Sequence, residues 1–514
     1  MTIALLSHVS LRSMVRQDMQ HRLSGLSNLS TYGAVASLNS GNGPEEALTL
    51  LEMGRGIISG FFIGNRADLS DLHSINPEIS SQYEEIRDQL TQMAISQSYR
   101  GDVVRHRQEL TERLTSLEGQ IRELPGLSRF QLPASGDDLK ELALKGPLVN
   151  FNVTSFRSDA FIVTSQSIVV IPLPNLHEND LEENVQKIIG RSRLTKCTLV
   201  ERSTSNKHLA KILVWLWEVA VKPVMDHLGL TGTSTSDLPR LWWVTSGLMG
   251  LMPLHAAGSG WDETTENTAS RCVSSYVRTM KALAYSRERV NRPNRSVPDS
   301  ILAVHTPHTT EKGWADLNTT PEMSVITNAA SRANLACTVL DSPTVPSVID
   351  AMRHSAIVHL ACHGDPSFDN PSQTSLVLRG DPTTPDGRMT VDQLFDETHQ
   401  HAQLAYLSAC CTAQQYSKGL IDEGIHLGSV FQLMGFPAVV ATLWEADDGA
   451  AMELAGAFYR RLLAVGGVLG EMEEGRVARA LHGAVAELRA QRLGRRRRKA
   501  EDVLAWAPFV HIGI

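Results

Sequence analysis

The sequence predicts an α/β protein in which a mostly parallel sheet is covered by helices on both faces and is preceded by an all-helical segment. Three observations predict it. From about residue 240 to the last residue, strand-like and helix-like runs alternate, the order of repeated strand–crossover–strand units. Two of the strand-like runs, at 405–409 and 438–443, are almost continuously apolar, as interior parallel strands are. Up to about residue 124, apolar residues recur instead at spacings of three and four. The 514 residues leave room for two to four domains, at roughly 100–200 residues per domain. A hydrophobic share of 42% with 20% charge fits a folded chain with a sizeable core.

The first helix is opened by Pro44-Glu45-Glu46, with proline in the first turn and acids at the positive end of the dipole. Ala47, Leu48, Leu50, Leu51, Ile57 and Ile58 continue its apolar spacing. A second helix is expected at about 77–93. A third, at about 102–124, keeps Leu110, Leu114, Leu117 and Ile121 on its dry face. The first 60 residues read as two antiparallel helices. They form either the last hairpin of a helical repeat array or a helical cap on the main domain, since one hairpin is not a repeat. From about residue 146 the short β-branched runs 149–154, 159–164 and 167–174 predict a meander of strands. A helix follows at 208–228. Strands are then expected at 240–246, 300–307, 336–342, 355–362, 402–410, 437–444 and 509–514. Between them fall helices at 321–333, 345–353, 390–400, 424–435, 449–464 and 475–493.

The charge balance argues against a nucleic-acid factor: 48 Lys and Arg against 56 Asp and Glu leave −8. No apolar run reaches the roughly 18–20 residues of a membrane span, and the first residues turn polar too early for a signal peptide. Six cysteines in a chain of this length read as thiols in a reducing compartment, so a cytoplasmic location is expected. The five basic residues at 495–499 are a solvated loop or, in the sharper alternative, a nuclear localisation signal. No CxxC, HExxH or GxxxxGK[ST] pattern occurs, so neither metal nor cofactor is expected.

Two strand ends carry the chemistry. One runs His359-Leu360-Ala361-Cys362-His363-Gly364, the other Leu407-Ser408-Ala409-Cys410-Cys411-Thr412-Ala413. A single helix at about 391–401 is expected between them, which makes the strands parallel neighbours joined by a right-handed crossover. His363 and Cys410 then share the carboxyl edge of the sheet, where open α/β sheets bind ligands. Cys410 would supply a thiolate and His363 the base. Gly364 admits a close backbone approach, so its N–H and that of Cys410 would form the oxyanion hole. The plainer reading of Cys410 is a small buried hydrophobe. Cys411 competes for the nucleophile role. Alternation along an extended chain lets only one of the pair face His363, and Cys410 is favoured. Cys362 faces the core, and His359, two pleats deeper, reads as a satisfied core residue.

At these residues the sequence resembles the CHAT family of caspase-like peptidases, in the form found behind tetratricopeptide repeats. The likeness covers roughly 140–514. It includes 238–243 (LPRLWW), 252–258 (MPLHAAG), 273–276 (VSSY), both strand ends, 422–427 (DEGIHL), 435–444 (GFP through TLW) and 506–509 (WAPF). The stretch Glu46-Ala47-Leu48 with Gly54-Arg55-Gly56 is similar to the joint between repeats and this domain. The resemblance implies a caspase-like three-layer α/β/α fold. A TPR-like helical segment (1–134) would precede a CHAT domain (135–514), made of a pseudo-protease half (135–295) and a catalytic half (296–514).

The resemblance further implies a cysteine endopeptidase with a His363–Cys410 dyad and Gly364 at the oxyanion position. Its substrate would be a protein, and an activating partner is expected at the helical segment. The adjacent Cys411 departs from the family pattern. Asp422, Glu423, Glu445, Asp447 and Asp448 follow the nucleophile. If one lines the pocket for the residue before the cut, a basic residue is preferred there; alternatively these acids cap helices. The competing functional reading is a silent scaffold whose helical front binds partners.

Overall fold

Fourteen short strands supply the framework of the described residues. They are β1 (Leu148–Val153), β2 (Ser158–Val163), β3 (Ile168–Pro172), β4 (Arg240–Val244), β5 (Val273–Val277), β6 (Ser300–His305), β7 (Ala336–Asp341), β8 (Ile357–Ala361), β9 (His363–Asp365), β10 (Ser375–Val377), β11 (Arg388–Thr390), β12 (Leu404–Ser408), β13 (Ala438–Thr442) and β14 (Phe509–Gly513). The computed structural model describes residues 14, 16–95, 101–189, 198–232, 238–245, 247–260, 264–292, 297–309, 314–414, 417, 419–464, 469, 472–495 and 502–514. Residues 496–499 of the basic run lie outside them.

Eleven strands form one sheet in the order β3-β2-β1-β4-β5-β14-β13-β12-β8-β6-β7. The pairs β1–β4, β4–β5, β5–β14, β13–β12, β12–β8, β8–β6 and β6–β7 are parallel; β1–β2, β2–β3 and β13–β14 are antiparallel. The predicted mostly parallel sheet is therefore present, in two halves that run in opposite directions. The last strand of the chain does not close an edge. It lies between the halves, parallel to β5 and antiparallel to β13. β5, whose Val-Ser-Ser-Tyr-Val pattern is a weak strand signal, was passed over by the sequence reading.

Two expectations about the connection from β8 to β12 need correction. The helix expected at 391–401 spans only Val391–Leu394. The carbonyls that would continue it are taken by side chains from elsewhere: Arg66 holds those of Phe395 and Glu397, and Arg289 that of His399 at 2.7 Å. A captured carbonyl is lost to the helical ladder. The residues before it form β10 and β11, which complete a three-stranded antiparallel sheet with β9. The long helix expected at 208–228 spans Leu199–Leu216 and continues through a π-turn, Trp217–Val221, into Lys222–His227. Pro223, lacking an N–H, accounts for the slipped ladder there.

The front segment holds more helices than the two expected: Arg16–Ser24, Leu29–Asn39, Pro44–Met53 and Ile57–Asn65. Ala34, Ala47, Leu48 and Leu51 pack on Leu148, Phe161, Val163, Trp242 and Val244 of the first half. Met19, Leu23, Ile58 and Phe62 enter the main core, which is continuous across both halves of the sheet. These helices pack as a cap. Pro77–Ile95 and Gly101–Arg122, joined by Leu69 and by Leu72 of the short helix Ser70–Ile75, keep a core of their own, around Tyr83, Ile86, Leu90, Leu110, Leu114, Leu117 and Ile121. Among the described residues no single helix is long and apolar enough to cross a membrane.

Candidate active site

β8 and β12 pair in parallel from Leu404↔Ile357 to Ser408↔Ala361, so both reach the carboxyl edge together. Beyond Ala361, Cys362 turns into the core, and burial pushes its thiol up to about 12. The chain then re-enters strand geometry in β9, where His363 pairs with Val377 and Gly364 with Leu376. That pairing fixes the backbone under His363. His359 lies deeper, fully buried, with its ring nitrogens bonded to Tyr459 and Glu322 at 3.1 Å each.

Beyond Ser408 the chain turns at once, so strand alternation cannot choose between the two thiols. The turn is hung from Thr442, the last residue of β13. Thr442 Oγ1 donates to the Ala409 carbonyl at 2.7 Å, and its N–H donates to Thr412 Oγ1 at 2.9 Å. Cys411 adopts φ 58°, a left-handed conformation costly for a residue with a Cβ. It is 2% exposed, and burial pushes its thiol up to about 12. Cys410, by contrast, is half-buried as a residue. A Cβ on Gly364 would collide with the Cys410 carbonyl oxygen and lie 3.3 Å from the Cys410 nitrogen. Only glycine allows the two backbones to approach this closely.

The imidazole of His363 is held from the other side. Its Nε2 lies 2.7 Å from the Ala315 carbonyl. A carbonyl only accepts, so Nε2 carries the proton and Nδ1 is the nitrogen left for a thiol. The Trp314 ring packs on it with centroids 4.7 Å apart. Burial lowers the His363 pKa, while the Ala315 carbonyl, Asp448, Glu445 and Asp316 oppose that shift. The thiol of Cys410 is pushed well above its usual range, by burial first and then by Cys411 and Glu445, with the Ala446 N–H opposing and Asp448 adding to the rise. Glu445 and Asp448 thus act on both side chains. Among the described residues no hydrogen bond joins the imidazole to the thiol. Such bonds are often long before substrate binds.

A family model for the CHAT domain matches residues 210–514, more than half of the chain. The chain belongs to the CHAT domain family. Among solved structures, this CHAT protein is similar to separase of Saccharomyces cerevisiae in its complex with securin. The identity is 11% and the TM-score 0.53, covering 97% of this chain and 37% of that one. At that identity the likeness shows the fold, and the CHAT chain spans little more than a third of the separase chain. The Arg-specific cysteine proteinase gingipain R also matches, at 10% identity and TM-score 0.39, over 65% of this chain and 74% of that one. No curated protein matches the sequence.

The two acids expected in a substrate pocket of the CHAT domain are placed elsewhere. The Glu423 carboxylate accepts the backbone N–H groups of Ile58 (2.8 Å) and Ile57 (3.3 Å) at the start of helix Ile57–Asn65. Asp422 accepts the Asn28 N–H at 2.7 Å through its side chain and the Gly56 N–H at 3.0 Å through its carbonyl. Both acids are buried and turned toward the front helices. A carboxylate satisfies the orphan donors at a helix start wherever the chain brings it, and here that bond joins two regions. Arg55, in the Gly54-Arg55-Gly56 joint, is buried and donates to Asn150 at 2.8 Å and Thr31 at 3.3 Å. Asp447 caps helix Asp448–Leu462 by accepting the Ala450 N–H at 3.0 Å, and it pairs with Arg202 at 3.1 Å. Asp448 accepts the Asn318 N–H at 3.3 Å. The sequence reading missed Trp314 and Ala315; the signal available was a lone aromatic in a long polar connection.

Proposed function

We propose that the chain is a cysteine endopeptidase of the caspase–separase type, with His363 as base and Cys410 as nucleophile. The observation that carries this is the packing of the Gly364 backbone against the Cys410 peptide, beside an imidazole already oriented by Ala315. In the reaction Nδ1 of His363 takes the thiol proton and the sulfur attacks the substrate carbonyl. The N–H groups of Gly364 and Cys410 stabilise the oxyanion, and the imidazolium returns its proton to the leaving amine. Water then releases the acyl group.

The substrate class we favour is a protein cut after a basic residue. Glu445 and Asp448, not Asp422 and Glu423, are the acids that bear on the dyad. A cationic side chain beside them would offset the part that their charge adds, after burial, to the rise of the Cys410 thiol, coupling recognition to activation. An activating protein partner at the front helices fits the same reading, because those helices grip the loop that follows Cys410. The separase to which the fold is similar was solved with a protein partner, securin. The scaffold alternative draws on one observation, the absence of a resting bond between imidazole and thiol.

Labelling with electrophilic peptide probes separates these readings. The expected result is covalent capture at Cys410, faster with Arg than with Asp before the reactive group, and abolished in Cys410→Ala. Equal labelling of Cys410→Ala refutes the assignment, and loss only in Cys411→Ala moves it by one residue. A preference for the acidic probe overturns the basic-pocket reading.

A further inference from the structure

A buried polar cluster lies directly beneath the candidate site, and the proposed reaction does not use it. Glu322 stands in the first turn of helix Thr320–Arg332, where an acid interacts favourably with the positive end of the dipole. Its side chain is almost fully buried and accepts two hydrogen bonds at the same oxygen, Oε1. One comes from Ser408 Oγ at 2.8 Å, the other from His359 Nε2 at 3.1 Å. His359 is at 0% exposure, stacks on Tyr406 with centroids 4.6 Å apart, and bonds through Nδ1 to the Tyr459 hydroxyl at 3.1 Å.

The chain positions of these groups give the cluster its meaning. Ser408 is the last residue of β12, two before Cys410. Glu322 follows by seven residues the Ala315 carbonyl that orients His363. That strap is fastened at Thr319, whose hydroxyl lies 3.2 Å from His305 Nδ1, and at Asn318, whose N–H reaches Asp448. Tyr459 belongs to helix Asp448–Leu462, whose first turn holds Asp448. One carboxylate oxygen therefore ties the strand end that carries the thiol to the strap that holds the imidazole. The bond to His359 anchors both in the middle of β8.

Resting on the peptidase reading, we propose that Glu322 is a positioning residue, which fixes the separation of Cys410 from His363 through Ser408 on one side and the 315–319 strap on the other. It touches neither substrate nor thiol. A buried carboxylate with two donors is the right group for this, because charge-assisted bonds resist displacement. Geometry held from beneath decides whether reacting atoms meet: a misplacement of about 1 Å can cost about 10²-fold in rate.

The test compares two reagents on the full chain. An electrophilic peptide needs the assembled dyad, whereas iodoacetamide needs only an accessible Cys410. For Glu322→Ala the expected result is a loss of about 10²-fold in peptide-probe labelling, with iodoacetamide alkylation of Cys410 within about threefold of the parent. Glu322→Gln, which keeps an acceptor, is expected to recover most of the rate. Ser408→Ala removes a single bond and keeps the test open if Glu322→Ala, which strands a buried histidine, fails to fold. Its expected loss is about tenfold, smaller than that for Glu322→Ala. Parental peptide-probe labelling in a folded Glu322→Ala, or in Ser408→Ala if Glu322→Ala does not fold, overturns the proposal. An equal loss with both reagents also overturns it, since accessibility and not geometry would then have changed. Failure of the parent chain itself to label at Cys410 is a different result, which removes the peptidase reading and the positioning role with it.

Discussion

In the first half of the sheet, β4 and β5 run out into Thr245 and Arg278, and the two ends close on each other. The Thr245 N–H donates to the Val277 carbonyl at 3.0 Å, and Arg278 donates to the Thr245 carbonyl at 3.1 Å and to His426 at 3.1 Å. In the second half, β8 and β12 lead to His363 and Cys410, which are not bonded to each other. One imidazole nitrogen there is left for a partner, and Cys410 is half-buried as a residue. Parallel pairing and apolar interiors are common to both halves. What differs is whether the polar groups at the strand ends are consumed by the structure or held in reserve.

The sharpest way to break this comparison is to remove the reserve. Replacing His363 with Ala is expected to slow peptide-probe labelling by about 10²–10⁴-fold, the usual contribution of a positioned base. A change below tenfold would mean that the imidazole is no more engaged than the ends of the first half. Gly364→Ala follows, with an expected loss of about 10²-fold as its new Cβ drives the Cys410 carbonyl away. Its counterpart, Thr245→Ala in the first half, is expected to leave labelling within about threefold. Similar losses in both would show that the two ends differ in name only.

A third test asks how firmly the front helices are fastened to the second half of the sheet. Burial pushes Glu423 up from 4.5 to about 7. Between those values the unfolded chain gives up a proton that the folded chain keeps, so this group's contribution to stability falls as pH rises from 4.5 to 7. Glu423→Gln cannot titrate there. Its melting temperature relative to the parent is expected to rise steadily across that window. His399 and His482, pushed down to about 4, act in the opposite direction in both proteins and cancel in the difference. Parallel pH profiles for parent and variant would show that Glu423 does not carry the joint. The smallest effect concerns the thiol. Glu445→Gln is expected to lower the Cys410 pKa and speed iodoacetamide alkylation at pH 8 by less than about tenfold. A slower reaction would reverse the assigned role of Glu445.

The strand ends at 359–364 and 407–413 were legible because apolar runs ending in His-Gly and Cys announce themselves. Burial of Cys362 followed from strand parity, and the satisfied state of His359 from its depth two pleats below His363. The preference for Cys410 over Cys411 agrees with their exposures, but by a different route: alternation had already ended, and the left-handed turn at Cys411 buries that thiol. The short helix at Val391–Leu394 was misjudged because its carbonyls are captured by Arg66 and Arg289, residues more than a hundred positions away. Asp422 and Glu423 looked like pocket acids for the same reason: proximity in sequence to a nucleophile says nothing of the helix start that arrives from residue 57.

By itself the sequence determined the alternation of strands and helices, the two chemistry-bearing strand ends and the membership that their motifs imply, since periodicity and local residue types are read along the chain. Only the tertiary structure decided that the last strand lies between the halves, that the front helices are fastened to the loop after Cys410, and that Glu322 lies beneath the site. Each of those depends on which distant donors and acceptors meet once the sheet has closed its core, and hydrogen-bond partners chosen by burial leave no period in the sequence.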